Sequence, residues 1–199
     1  GGRTFSRVGN VEHTDCIGVD PSDEFGRTML LGKHESGKSL LLSSSSGFSW
    51  REIGTGLPDK SGNANHVMVL DPKTFLVGVS KYGDTVNGFY NTTDAGQSWT
   101  KLSSAASTGI PVTAADGTIY WPCAQQLMVS KDNGSTWQSL SLPGGGLICE
   151  AGPGRLINVA GKQIMISVNG GASWRAIGPP LPFDSNSVTF SEVGHTVYV

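Results

Sequence analysis

The chain has 199 residues, with 14 Lys and Arg against 16 Asp and Glu and a formal net charge of −2. Its cations are scattered singly, which argues against a nucleic-acid or anionic-membrane partner, and no apolar run reaches the ~18 residues that a membrane-spanning helix needs. Glycine accounts for 28 residues, about twice the usual share of roughly 7%, a composition that suits many tight turns.

Taken in order, the chain predicts short strands separated by turn residues. The first unit offers SRV (6–8), DCIGVD (15–20), a turn at Pro21, TMLLG (28–32) and SLLLS (39–43). The second offers HVMVLD (66–71), a turn at Pro72 and Lys73, TFLVGV (74–79) and GFYNTT (88–93). IPVTAA (110–115), the Asp116-Gly117 turn, TIYWP (118–122) and QLMVS (126–130) form the third. GLICEAG (146–152), the turn at Pro153-Gly154, RLINVA (155–160) and QIMIS (163–167) form the fourth. Asp-Gly and Pro-Gly between β-branched runs are hairpin signals, and no amphipathic helix pattern competes. The first strand of each unit, apolar throughout, is expected nearest a central axis.

Each third strand runs into the same pattern: hydroxyl, x, Asp or Asn, x, Gly, x, Ser or Thr, Trp. SKDNGSTW (130–137) carries Ser130, Asp132, Gly134, Thr136 and Trp137; TTDAGQSW (92–99) carries Thr92, Asp94, Gly96, Ser98 and Trp99. SVNGGASW (167–174) places Asn169 at the acid position, before Gly171 and Trp174. SSSSGFSW (43–50) keeps Gly47 and Trp50 but has Ser45 there, and is expected to be the loosest copy. GGRTF (1–5) is half of a fifth copy, with Gly2, Thr4 and Phe5. In each, the acid is expected to accept N–H groups about two residues on, the glycine to take positive φ, and the indole to fill a gap between stacked sheets.

The aromatic positions 5, 50, 99, 137 and 174 step by 45, 49, 38 and 37 residues. A period near 40 with four short strands per unit predicts an all-β fold, a β-propeller of four-stranded antiparallel blades, because one blade buries its faces only by stacking on its neighbours. The units run roughly 6–50, 51–99, 100–137 and 138–174, with an incomplete fifth from 175–199 plus 1–5, all within one domain, 1–199. About five blades are represented, and the expectation is a piece of a larger propeller or one completed by another chain.

These turns resemble the Asp-box (BNR) repeats of β-propellers such as sialidases, xyloglucanase-type glycoside hydrolases and sortilin-type receptors. The resemblance spans the whole chain and implies that Asp94, Asp132, Asn169, Gly96, Gly134, Gly171, Trp50, Trp99, Trp137 and Trp174 are structural, on the turn between strands three and four, away from the functional face. It also implies an extracellular protein. The functional face then falls on the connectors entering each first strand and on the loops between strands two and three.

The acids on those segments are Glu12, Asp15, Glu35, Asp59, Asp84 and Asp184, of which Asp15, Glu35, Asp59 and Asp84 are the catalytic candidates for a glycosidase carboxylate pair. The aromatics Tyr82, Tyr90, Trp121 and Phe183 are candidates for stacking on a sugar, with blade core as the plainer role, above all for Trp121. A sialidase-type site requires three arginines around a carboxylate. Of the six here, Arg3, Arg7, Arg51 and Arg175 sit at a box or on the strand after it, and no Arg-Ile-Pro stretch occurs.

GKHESGKS (32–39) matches the phosphate-loop pattern, but that loop must open a helix, whereas the Ser-rich run after it enters a box. His13, His34, His66 and His195 are too dispersed for a metal set, and no metal or cofactor is expected. Cys16, Cys123 and Cys149 lack CxxC spacing and read as buried hydrophobes, with a Cys123–Cys149 disulfide as the alternative. Asn91 and Asn133 fit the glycosylation pattern only where the box supplies the hydroxyl anyway. The leading expectation is a secreted glycan- or protein-binding module; the alternatives are a glycoside hydrolase with catalytic residues partly outside this chain, and an assembly scaffold.

Overall fold

A computed structural model of the protein describes residues 3, 4, 7, 9–33, 40–57, 64–80, 87–185, 187–191 and 193–199. They form an all-β structure in two compact units, Gly1–Ser104 and Ala105–Val199. No helix among the described residues is long and apolar enough to cross a membrane.

The first unit holds two four-stranded antiparallel sheets. One comprises β1 (Thr14–Val19), β2 (Met29–Lys33), β3 (Leu40–Ser43) and β4 (Arg51–Glu52); the other β5 (Ala64–Val69), β6 (Phe75–Val79), β7 (Gly88–Thr92) and β8 (Thr100–Ser103). Both are simple meanders in chain order. Leu30, Leu40, Leu42, Val67, Phe75, Val77, Val79 and Tyr90 form the core that joins them.

The second unit holds β9 (Val112–Thr113), β10 (Ile119–Cys123), β11 (Gln126–Ser130) and β12 (Gln138–Ser141) in one sheet. A second contains β13 (Ile148–Glu150), β14 (Leu156–Ala160), β15 (Gln163–Ser167) and β16 (Arg175–Ile177). A two-stranded sheet, β17 (Thr189–Ser191) with β18 (Thr196–Tyr198), follows. Tyr120, Leu127, Val129, Ile148 and Leu156 join its four-stranded sheets, and Ile157, Val159 and Val188 form a further cluster.

The sheets start and stop later than the aromatic-to-aromatic units. The short strand after each tryptophan pairs with the strand before it, Leu42 with Arg51 and Val129 with Gln138, so it closes its own blade instead of opening the next. Apolar composition does not make strand one the most buried. Ile17 and Val19 in β1 are 57% and 43% exposed, whereas all five residues of β6 and of β10 are buried. The second strand is paired on both edges and packed on both faces, which makes it the deepest.

The repeated turns join strands three and four. In each, the first hydroxyl, not the acid, accepts the near N–H groups. Ser130 Oγ takes those of Asp132 at 3.5 Å and Gly134 at 2.8 Å, while donating to Asp132 Oδ1 at 2.8 Å. Asp132 spans the whole turn, accepting the N–H of Thr136 at 2.8 Å and its hydroxyl at 2.6 Å. Thr92, Asp94 and Ser98 repeat this arrangement, and Ser167, Asn169 and Ser173 reproduce it with the amide. In the serine copy the Ser43–Ser45 hydroxyl contact lengthens to 3.4 Å, although Ser45 still accepts the Ser49 N–H at 3.0 Å.

Gly47, Gly96, Gly134 and Gly171 have φ between 82° and 88°. The residue before each glycine is left-handed too: Ser46, Ala95, Asn133 and Gly170, with φ between 53° and 65°. That conformation aims its N–H at the turn between strands one and two. Ser46 donates to Arg27 O at 3.0 Å, Ala95 to Lys73 O at 2.9 Å and Gly170 to Gly154 O at 2.9 Å. Each blade therefore carries its repeated turn and its strand-one-to-two turn at one end, and its connectors and strand-two-to-three turn at the other.

Candidate functional site

The phosphate-loop match is removed by the backbone around it. Gly32 and Lys33 end β2, and Leu40 begins a strand, β3, where a phosphate loop requires a helix N-terminus. The acids of the repeated turns are occupied by structural hydrogen bonding: both Asp94 and Asp132 spend their carboxylates on their own turns, which pushes each down to about 2, the Ser98 and Thr136 hydroxyls being the largest cause. The candidate site is accordingly the connector end of the blades.

In the first unit this end is shaped by two β-bulges. Pairing with β2 jumps between Thr14 and Cys16, and pairing with β6 jumps between Ala64 and His66. Asp15 and Asn65 are therefore the extra residues at equivalent places in adjacent blades, and bulges of this kind re-aim side chains beside sites. Cys16 Sγ donates to Ala64 O at 3.3 Å across the seam, and burial pushes its thiol up to about 12. Burial lowers the His66 imidazole, while the Asp15 charge works in the opposite direction. Asn65 Oδ1 is buried without a hydrogen-bond partner. Asp15 is thus the one catalytic candidate among the described residues, and its electrostatic neighbours are a thiol and an imidazole. Glu35, Asp59, Asp84 and Tyr82 lie outside the described residues. Glu12 forms an exposed ion pair with Arg7 at 3.5 Å.

In the second unit the segment 178–185 folds back over the turn between β14 and β15. Leu181 N–H donates to Lys162 O at 2.7 Å and Ser185 N–H to Gly161 O at 3.1 Å. These bonds present Phe183 at 51% exposure, with Asp184 beside Gly161. Ile110, on the connector entering β9, is 60% exposed. Asp184 is the only carboxylate among the described residues of this unit's connectors and strand-two-to-three turns.

Two of the stacking candidates take the plainer role, blade core. Trp121 is fully buried within β10 and donates its indole N–H to Ser107 Oγ at 2.8 Å. Tyr90 is 1% exposed in the core, with Gly88 lying against its ring because a Cβ there would overlap the phenol. Both are loop-adjacent in sequence, but their strands are sandwiched, so neither offers a ring face to a ligand. Cys16, Cys123 and Cys149 are free thiols, and burial pushes Cys123 up to about 12 and Cys149 to about 11. No cluster of three metal-binding side chains occurs among the described residues.

A family model described as the DUF6242 beta propeller domain matches residues 29–196. No curated protein matches the sequence. Among solved structures, the chain is similar to an ancestral GH74 enzyme (TM-score 0.64, 16% identity, 84% of this chain and 24% of that one). It is similar to the GH74 enzyme of Niastella koreensis (0.60, 22%, 85% and 29%) and to YCF48 from Cyanidioschyzon merolae (0.59, 15%, 89% and 60%). The chain spans about a quarter of the length of the two GH74 enzymes. Likeness at these identities speaks to the fold.

Proposed function

Since the chain belongs to the DUF6242 beta propeller domain family, we propose that it is a secreted binding module whose repeated turns are Asp boxes and whose ligand, a glycan or a protein, is held at the blade ends away from them. The observation that carries this reading is the exposed Phe183, fixed on a segment pinned to Gly161 and Lys162, with Ile110 exposed at the same end of the unit's blades. An exposed aromatic on a segment already fixed by backbone hydrogen bonds can anchor a ligand with little further ordering cost. The bulged Asp15 adds a charged group to the same end in the first unit.

The hydrolase alternative rests on fold likeness to GH74 enzymes, and it requires two carboxylates about 5–9.5 Å apart across a cleft. A scaffold role would use the same surface with a broader protein partner. Immobilised glycan and protein arrays test the reading. Binding that falls in Phe183→Ala and Ile110→Ser, with unchanged melting temperature, supports it; binding indifferent to both substitutions overturns it.

A further inference from the structure

Two blade-to-blade seams, one in each unit, are built from the same positions and differ in one respect. Arg51 follows the tryptophan of its turn and reaches over the seam, donating from Nη2 to Ala95 O of the next blade's turn at 3.1 Å. At the matching positions of the second unit stand Gln138 and Gly170, and Gly154 stands where the first unit has Lys73. The backbone link is retained, Gly170 N–H to Gly154 O as Ala95 N–H to Lys73 O, both at 2.9 Å. All three substitutions are to smaller groups. Where Arg51 closes the first unit's seam, the matching seam of the second unit is left open as a cleft of about 310 Å³, at the small end of the range for ligand sites.

The cleft is not simply a packing defect, because polar groups of both kinds converge on it. Asp116, Tyr120, Lys131, Gln138 and Asn169 line it beside the apolar Leu140. Gly170 lies against the phenol, since a Cβ there would come within 3.1 Å of Tyr120 Oη. The Thr118 N–H and hydroxyl, and more remotely the Lys131 ammonium, hold the Asp116 carboxyl below its usual range, so it is ionised at neutral pH opposite a cation. One acid, one cation, two amides and a phenol supply donors and acceptors without net charge.

We propose that this cleft is a second binding site, on the turn end of the blades, for a neutral hydroxyl-rich ligand of monosaccharide size. Asp116 accepts from ligand hydroxyls, Gln138 accepts and donates, Asn169 donates the N–H its own turn leaves over, Lys131 donates to a hydroxyl or ring oxygen, and the Leu140 side carries the C–H face. The site is independent of the ligand surface at the opposite blade ends.

The test uses the whole chain, isotope-labelled, titrated with methyl β-D-glucopyranoside and methyl β-D-galactopyranoside while amide chemical shifts are followed. The expected result is saturable shifts at Lys131, Gly154 and Gly170 with at least one glycoside. Gln138→Arg, which restores the side chain that crosses the other seam, should weaken binding at least tenfold without lowering the melting temperature. The exposed Lys131→Ala should weaken it severalfold, which keeps the test decisive if the arginine variant misfolds. Phe183→Ala should leave it unchanged. Absence of saturable shifts with both glycosides, or full binding by Gln138→Arg or Lys131→Ala, overturns the proposal. Array binding indifferent to Phe183→Ala and Ile110→Ser would overturn the earlier reading alone.

Discussion

Trp99 donates its indole N–H to the carbonyl of Ile53 at 3.3 Å, from the turn of one blade to the chain leaving the previous one. Trp174 does the same to Ser141 at 3.2 Å. The glycines of those turns are packed accordingly: a Cβ on Gly96 would meet Ile53 at 2.8 Å, and one on Gly171 would meet Leu127 at 2.6 Å. In these two copies the repeated turn is a clasp between neighbouring blades as well as a local fold, whereas Trp137 donates within its own turn, to Gly134 O at 3.0 Å. Trp99→Phe keeps most of the ring area and loses the hydrogen bond, at an expected cost of about 1 kcal/mol. Trp99→Ala also loses the packing, for about 3 kcal/mol. Urea unfolding midpoints measure both; equal costs would refute a role for the indole N–H.

Ser130 is predicted to matter out of proportion to its size. It is 1% exposed, and its hydroxyl accepts two N–H groups, that of the buried Gly134 among them. Ser130→Ala leaves those donors without an acceptor and should cost about 1–3 kcal/mol, whereas Ser135→Ala on the exposed side of the same turn should be near neutral. Indistinguishable unfolding midpoints for the two variants would contradict the hydrogen-bond assignment.

The turn acids give stability a defined pH dependence. Asp94 and Asp132 are held at about 2 when folded, below the ordinary aspartate value of 3.8. A depressed carboxylate contributes stability that is fully present above its unfolded pKa and is lost as pH falls through its folded one. Melting temperature should therefore decline between about pH 4 and pH 2 on this account. The double variant Asp94→Asn with Asp132→Asn, which copies the neutral Asn169, should flatten that decline. An identical acid slope in the variant would contradict it.

The cysteines should be inert in the native protein. With thiol values pushed to about 12, 12 and 11 for Cys16, Cys123 and Cys149, almost no thiolate exists at pH 8. A chromogenic disulfide reagent should titrate three thiols after denaturation and react slowly before it. Fewer than three thiols in the unfolded, unreduced chain would indicate a disulfide instead.

The blades were legible because their determinants are local. A hydroxyl, an acid and a second hydroxyl two and four residues apart close the turn by themselves, so their positions in the chain reveal the register of every sheet. The left-handed Ser46 and Ala95 were not legible, because neither residue favours positive φ; a link to the neighbouring turn holds them there. Trp121 and Tyr90 lie near loops in the chain, which left stacking on a ligand open beside blade core, and the stacking of sheets decides for the core. The cleft at Asp116 and Lys131 emerges only when two seams are compared position by position, since what distinguishes it is the arginine that Gln138 replaces. Asp15 was legible as an acid on the right segment, but the bulge that re-aims it was not.

The central claim is recognition without cleavage at the blade ends away from the repeated turns. Its most direct measurement is incubation of the protein with xyloglucan oligosaccharides, sialyllactose and the ligand retained on the arrays, followed by mass spectrometry of the recovered ligand. The account predicts intact ligand whose retention requires Phe183 and survives Asp15→Asn. Cleaved ligand, with cleavage abolished by Asp15→Asn, would contradict it.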